Sequence, residues 1–439
     1  MALGGGTFLV QNKILPGAYI NFVSKARALG SLGERGIVAM LLQLSWGKEE
    51  EIFSISAEDF QKNALAIFGY SYTDPELLFI REVFKGASTL LCYRPKSGEK
   101  AKAVIDNLSV TAKYGGIRGN AIKIVIENNI DNEELYDVYT YIGNDNILVD
   151  QQTISLISEL MENDYVTFQG TGSLSETAGT SLTGGTDQEI TGNDYSKFLD
   201  KAEAEEFTTL LYAGEDLITK SLFNSFTKRL RDNEGYKITT VLHDYTKADF
   251  EGVISVKNTT THTNKAALVY WVAGRTAGAN VNETLTNFVY DGELEINTKF
   301  KKSEFTKAIQ NGEFALYGEK DKVKVLKDIN TFTSIEPNKN ADFSNNQIIR
   351  VLDEIGNGVA RIFDSFYLGK VQNSPSGRDL FKVELINYHE QLQSIDAITG
   401  FKADDILISK GREKGDVVVE EAVEPVGAMD KLYMAVTVI

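Results

Sequence analysis

One cysteine in 439 residues, Cys92, excludes an internal disulfide. It lies in the apolar run TLLCY, where a free thiol behaves as a small buried hydrophobe in a protein made in a reducing compartment. Histidine is nearly as scarce, with only His243, His262 and His389. None are paired at metal-ligand spacing, and no G-x-S-x-G elbow supplies a nucleophile. Positive charge is also in deficit, with 45 Lys and Arg against 62 Asp and Glu and a formal net charge of −17. That balance argues against a nucleic-acid binder, which needs a basic face to displace counterions from phosphates, and against docking on anionic lipid. The longest apolar run, AALVYWVA at 266–273, is far short of the roughly 20 residues of a membrane-spanning helix. No N-terminal segment combines the charged, apolar and small-residue parts of a secretory signal. The glycine-rich stretch 114–120 (YGGIRGN) lacks the lysine and Ser/Thr of a phosphate loop, and its glycines read as a tight turn or bulge. No catalytic residue, cofactor or metal is therefore expected. The one place for an enzyme alternative is His243, which ends a strand beside Asp244 as catalytic residues of α/β enzymes often do.

What is present is globular in balance, 42% hydrophobic and 24% charged. The chain is too long for one core and suggests about two to four domains. Residues 35–46 (RGIVAMLLQLSW) form a near-continuous apolar run, as expected of a strand covered on both faces. Helices follow at 56–69, with Ser56 as cap, and at 74–85, with Pro75 at the first position; 87–93 returns as a buried strand. From 96 to 193 the segments are short, alternating and β-rich, ending in a Gly/Ser/Thr tract at 170–192 that reads as an exposed loop and linker. The α/β alternation resumes at 195. A helix over 215–233 is expected to turn Leu217, Leu222, Phe223, Phe226 and Leu230 inward, and strands at 237–243 and 252–256 follow. A small-residue, helix-like run lies within 261–279, and 313–327 gives two strands around a turn. This spacing predicts a largely parallel sheet covered by helices. Ser344 and Gln347 are spaced as a capping box opening a helix with Ile348, Leu352, Ile355, Val359, Ile362, Phe363 and Phe366 on its apolar face. A second helix is expected from about Arg378 to Ile398, then strands at 405–409 and 417–423. Two helices against two short strands make a thin sheet that would gain from strands supplied by neighbours.

The two ends share one character. Residues 13–23 (KILPGAYINFV) alternate as a strand, with no following turn to fold them on a local partner. Residues 430–439 (DKLYMAVTVI) are β-branched and aromatic and stop without a cap. An unpaired strand is a template for pairing. Either both are edge strands of one intramolecular sheet, or they link copies of the chain.

Seven pieces in order resemble the tail sheath proteins of contractile phage tails and phage-derived particles, closest to those of Gram-positive phages and related bacteriocin-like particles. They are PGAYINF (16–22), YGGIRGN (114–120), VAGRTA (272–277), DINT (328–331), IIRVLD (348–353), YLGKVQ (367–372) and KLYMAVTV (431–438). The resemblance covers most of the chain. It implies an α/β multidomain fold: a helix-covered mixed sheet core, an inserted β domain, an α+β C-terminal module, and extended strand arms at both ends. The divisions are an N-terminal linking arm (1–23), the first part of the core (24–96), an outer β domain with its linker (97–195), the rest of the core (196–340) and a polymerisation module (341–439). It implies a structural subunit of the virion tail or a phage-tail-like particle, assembled in the bacterial host cytoplasm. Hexameric rings would stack helically around an inner tail tube and contract to drive it through the host envelope. Ala18, Tyr19, Ile20, Asn21 and Phe22 would form one linking strand, and Leu432, Tyr433, Met434, Ala435, Val436 and Val438 the other. The implied partners are neighbouring sheath subunits, the tube protein, and baseplate and tail terminator proteins, without direct nucleic-acid contact or membrane insertion.

Overall fold

Seven strands make the core sheet in a computed structural model that describes residues 35–438, and residues 4–6 and 17–19 as backbone. Their order across the sheet is Glu313–Phe314, Val253–Val256, Thr239–His243, Thr209–Tyr212, Ile37–Leu41, Thr89–Tyr93 and Ile52–Ser56. All neighbours are parallel except the last pair. The alternation of side chains divides them between two faces. Val38, Met40, Leu90, Cys92, Val241 and Ile254 enter one apolar cluster, and Ala39, Leu41, Leu91, Tyr93, Leu210 and Leu242 the other. A sheet buried on both faces selects such uninterrupted apolar strands. Residues 42–46 continue the apolar run beyond the strand, ending with Trp46 fully buried.

One face is covered by the helices Ala57–Phe68, Leu78–Val83 and Leu268–Gly278, the other by Gly192–Ala202 and Leu217–Lys228. Ser56 caps the first through the Asp59 N–H, and Gly69 closes it at φ +72°. Leu268–Gly278 explains its small residues. A Cβ at Gly274 would stand 2.0 Å from the Val83 carbonyl oxygen, and one at Gly278 the same distance from that of Gly86. The second cover helix therefore meets it backbone to backbone. Leu217, expected inward, is 57% exposed, because the helix begins there and its buried face starts at Thr219.

The inserted domain is a pair of antiparallel sheets. One has the order Ile147–Ile154, Tyr136–Ile142, Ile122–Asn128, Thr177–Ser181, and the other Val166–Gly170, Leu108–Ala112, Lys102–Ile105. The tract 170–192, expected as loop and linker, thus contains an edge strand, held by burial of Leu174 and Leu182 on either side. The glycine turn in YGGIRGN joins the domain to the core. Gly116 sits at φ +126°, where a Cβ would lie 2.1 Å from the Ser45 carbonyl oxygen. The buried Arg94 guanidinium donates to the carbonyls of Leu44, Gly47 and Gly115 and to the Glu49 carboxylate.

The described residues fall into two compact units, one of 35–357, Ile395–Thr399 and 424–438, the other of 4–6, 17–19, Gly358–Ser394 and Gly400–Val423. The helix Asn346–Ile362 runs from the first into the second. Its cap differs from expectation. Ser344 ends a 3₁₀ turn and donates to the Ala341 carbonyl, while the Asn345 side chain accepts from the Gln347 N–H at 2.9 Å. Of its expected apolar face, Ile355 and Ile362 are buried, whereas Phe366 lies beyond the helix in a π-helical turn and is 41% exposed. The second helix, Pro375–Ser394, starts and stops earlier than expected, with proline at its first position.

Candidate assembly site

Among the described residues, the hairpin sheet of the smaller unit has two strands and no third. Ile406–Lys410 pairs antiparallel with Val417–Glu421, from Ile406 opposite Glu421 to Lys410 opposite Val417. Ile406 is buried on the side of the helix Pro375–Ser394, whose inward residues include Phe381, Leu385, Tyr388 and Leu392. On the other side of the hairpin, Leu407 and Val418 are 58% and 41% exposed. An isolated hairpin is marginal and its open edges invite pairing. His389, also fully buried, ties the helix to the sheet. Its Nδ1 lies 2.8 Å from the Leu385 carbonyl oxygen, its Nε2 3.4 Å from Glu421 Oε2, and its ring stacks on Phe401 at 5.0 Å. At the far end of the helix, Phe363, Tyr367, Val371, Phe381 and Val417 line an open groove of about 490 Å³.

The expected arm residues divide by end. Ala18 and Tyr19 lie in a short strand, Gly17–Tyr19, that pairs parallel with Gly4–Gly6. Residues 13–23 were expected to have no local partner, so this pairing corrects that reading. The partner precedes the strand in the chain and consists of three glycines, which carry no strand signal of their own. Ile20, Asn21 and Phe22 are outside the described residues. At the other end, Leu432, Tyr433, Met434, Ala435, Val436 and Val438 are not in a strand of this chain. The last backbone ties to the rest of the fold are Val426 N–H to the Ala397 carbonyl and Ala428 N–H to Gln347 Oε1. Beyond Ala428, among the described residues, the backbone makes no hydrogen bond, and Met429, Leu432, Tyr433, Met434, Val436 and Val438 are each at least 73% exposed. Of the terminal strand expected at 430–439, the described residues 430–438 form no strand and have no backbone partner among the described residues.

The remaining polar candidate is at His243, at the carboxyl end of Thr239–His243. Its Nδ1 lies 3.0 Å from Glu215 Oε1 without hydrogen-bond alignment, and Lys220 Nζ lies 3.4 Å from Glu215 Oε2. Burial holds the imidazole below its ordinary pKa, against the pull of the Glu215 carboxylate. Burial likewise pushes the Cys92 thiol well above the usual range. Among the described residues, no group of three His, Cys, Asp or Glu is placed to hold a metal, and no helix is long and apolar enough to cross a membrane.

Four family profiles match in succession. They are the tail sheath protein Gp18 domain III N-terminal region (35–94), the phage tail sheath protein beta-sandwich domain (96–187), the phage tail sheath protein central domain (188–331) and the phage tail sheath C-terminal domain (338–439). The phage-like element PBSX protein XkdK of Bacillus subtilis is 36% identical, the match covering 99% of this chain and 100% of that one. The crystal structure of a sheath tail protein from Desulfitobacterium hafniense is 42% identical, with a TM-score of 0.85 over 95% of this chain and 99% of that one. The helical sheath of the anti-feeding prophage in its contracted state shares the fold, with a TM-score of 0.57 at 13% identity over 97% of this chain and 99% of that one.

Proposed function

The chain belongs to the phage tail sheath family, and from that premise we propose that it polymerises as hexameric rings stacked helically around an inner tail tube and contracts to drive the tube through a target cell envelope. It is a structural protein of the sheath of a contractile phage tail or tail-like particle, not an enzyme. The enzyme alternative at His243 falls with it. That residue is a buried imidazole beside a helix N-terminus, serving the packing of the core.

The observation that carries the mechanism is the pairing of needs at the C-terminal end. The chain has an apolar tail with an unpaired backbone, and a hairpin with open edges. In our reading Leu432–Met434, Ala435, Val436 and Val438 of one copy, and Ala18, Tyr19, Ile20, Asn21 and Phe22 of another, add strands to the hairpin Ile406–Lys410/Val417–Glu421 of a third. An arm such as residues 13–23 reaches about 36 Å at ~3.3 Å per residue, enough to cross to a neighbouring copy. Each ladder bond contributes about 1 kcal/mol net, and many such links in one lattice hold because loss of one leaves the others engaged. The inserted β domain lies on the outside of the particle in this scheme. The partners are the tube, baseplate and tail terminator proteins, and assembly takes place in the host cytoplasm. Contraction releases the difference between a metastable extended lattice and a better-packed contracted one, with no nucleotide required.

Negative-stain electron microscopy of the purified chain tests this. Hollow tubes or stacked rings are expected, and deletion of residues 1–23 is expected to leave a folded subunit that builds no long sheath. Sheaths of normal length from that deletion would remove the linking-arm mechanism.

A further inference from the structure

The chain's acidity has a local exception. Residues 296–327 hold eight lysines against four carboxylates. The helix Lys302–Gln310 and the hairpin Leu316–Glu319/Lys322–Val325 bring them to one surface. The Phe305 ring stands edge-on 6.5 Å from Tyr317, and a Cβ at Gly318 would be 3.0 Å from Thr298 Oγ1, so 298–305 packs along the hairpin. Three of the four carboxylates are engaged. Glu313 pairs with Lys257 at 2.9 Å, Glu319 with Lys324 at 2.6 Å, and Glu304 accepts from the Lys301 backbone N–H at 2.7 Å. That leaves Lys299, Lys301, Lys302, Lys307, Lys320 and Lys322 exposed and, among the described residues, in no ion pair, with only Asp321 opposing them. Phe300 and Tyr317, half-buried, give the patch an apolar floor.

The opposite surface is on the same chain. From Ile124 to Ser196 there is no Lys, Arg or His, and there are fourteen Asp and Glu. The antiparallel register sets Tyr136 opposite both Asn128 and Ile154, so the loop after Asn128 and the segment after Ile154 share one end of the β domain. There Glu127, Asp131, Glu133 and Glu134 are exposed and in no ion pair among the described residues, around an Ile130 that is 98% exposed. Each surface joins charge of one sign to an apolar centre, and the signs are opposite. Two different patches that complement each other between copies make a heterologous contact, which builds a closed ring or an open helix according to its rotation.

We propose that the lysine patch around Lys302–Gln310 and Lys322–Val325 docks the acidic end of the β domain, around Ile130 and Glu133, of a second copy. The inference deepens the sheath reading by naming one contact of its lattice. Such a contact is salt-dependent and fixes register more than it adds affinity.

Cys92 is buried, so an engineered surface cysteine reacts alone. Lys302→Cys and Glu133→Cys chains, mixed in equal amounts and oxidised at low salt, are expected to yield the mixed disulfide well above its statistical share over the two homodimers. A statistical share or less overturns the contact, and tubes in the same sample would show that the sheath reading survives its loss. In a second measurement, Lys299→Glu/Lys301→Glu/Lys302→Glu/Lys322→Glu raises the concentration needed for self-association by roughly tenfold. Mixing it with Asp131→Lys/Glu133→Lys/Glu134→Lys restores association. Failure of the second set to rescue the first overturns the pairing.

Discussion

Truncation after Ala428 separates folding from assembly. In the single chain, Met429 to Val438 make no backbone hydrogen bond and bury almost no side-chain area among the described residues. Their loss should leave stability within about 0.5 kcal/mol, a shift of roughly 0.5 °C in Tm for a protein of this size. In the polymer the tail has two large opposed terms. Burying the six side chains of Met429, Leu432, Tyr433, Met434, Val436 and Val438 gives about 9–18 kcal/mol at ~1.5–3 kcal/mol each. Ordering roughly nine backbone residues costs a similar 9–18 kcal/mol. The remainder is the ladder, about half a dozen bonds at ~1 kcal/mol net. One link alone is thus worth about 6 kcal/mol, a dissociation constant of roughly 40 µM. It holds only where many links act together. Thermal unfolding, pelleting and electron microscopy of both chains read the two effects apart. The truncated chain should unfold with the intact one and form no sheath. Either sheaths of normal length from it, or a Tm lower by more than about 5 °C, would refute the reasoning, the second by showing that the tail packs on its own chain.

Other expectations rest on particular contacts. Ile20→Pro removes one ladder donor and should shorten sheaths less severely than deletion of 1–23, as counted by electron microscopy. The Arg231 guanidinium is buried against Asp353 in two bonds of 2.7 and 2.6 Å. Asp353→Ala should therefore cost about 3 kcal/mol in urea unfolding by leaving that charge unpaired. His243 has a folded pKa below its unfolded one, so its contribution is complete above about pH 6.5 and is lost as pH falls below it. His243→Gln should reduce the fall in Tm between about pH 7.5 and about pH 5.5; an unchanged fall would assign the acid sensitivity elsewhere. Gly274→Val has no space against the Val83 carbonyl and should destabilise by several kcal/mol, roughly 3 or more, read as loss of soluble yield or of Tm.

The core was legible because both-face burial leaves no room for polar residues. Strands such as Ile37–Leu41 and Thr89–Tyr93 stand out as apolar runs, and Ser56 announces its helix by a cap that the structure repeats. Where competing local signals exist, the reading slipped. Ser344 and Asn345 both offer a capping side chain, and only the backbone path decides that Asn345 serves. Thr177–Ser181 has linker composition, because an edge strand asks little of its side chains once Leu174 and Leu182 anchor it. The glycines of VAGRTAG were visible, but their purpose was not, since it depends on Val83 and Gly86 nearly two hundred residues away.

The tail is a different case. Residues 430–438 have β-branched and aromatic side chains, and strand propensity measures how well such side chains fit a pleated, half-buried surface. That surface must exist for the strand to form. In the single chain it does not, and the same residues stand exposed with their backbone unpaired. The hairpin Ile406–Lys410/Val417–Glu421 has the converse shortage, two strands where a stable sheet needs three or more. On the assembly reading these two deficits are one feature. A tail satisfied within its own chain would leave no open end to pass on, and a hairpin already completed could accept none. On that reading, leaving both unmet gives each copy one link to offer and one to accept, singly weak and held only in a lattice.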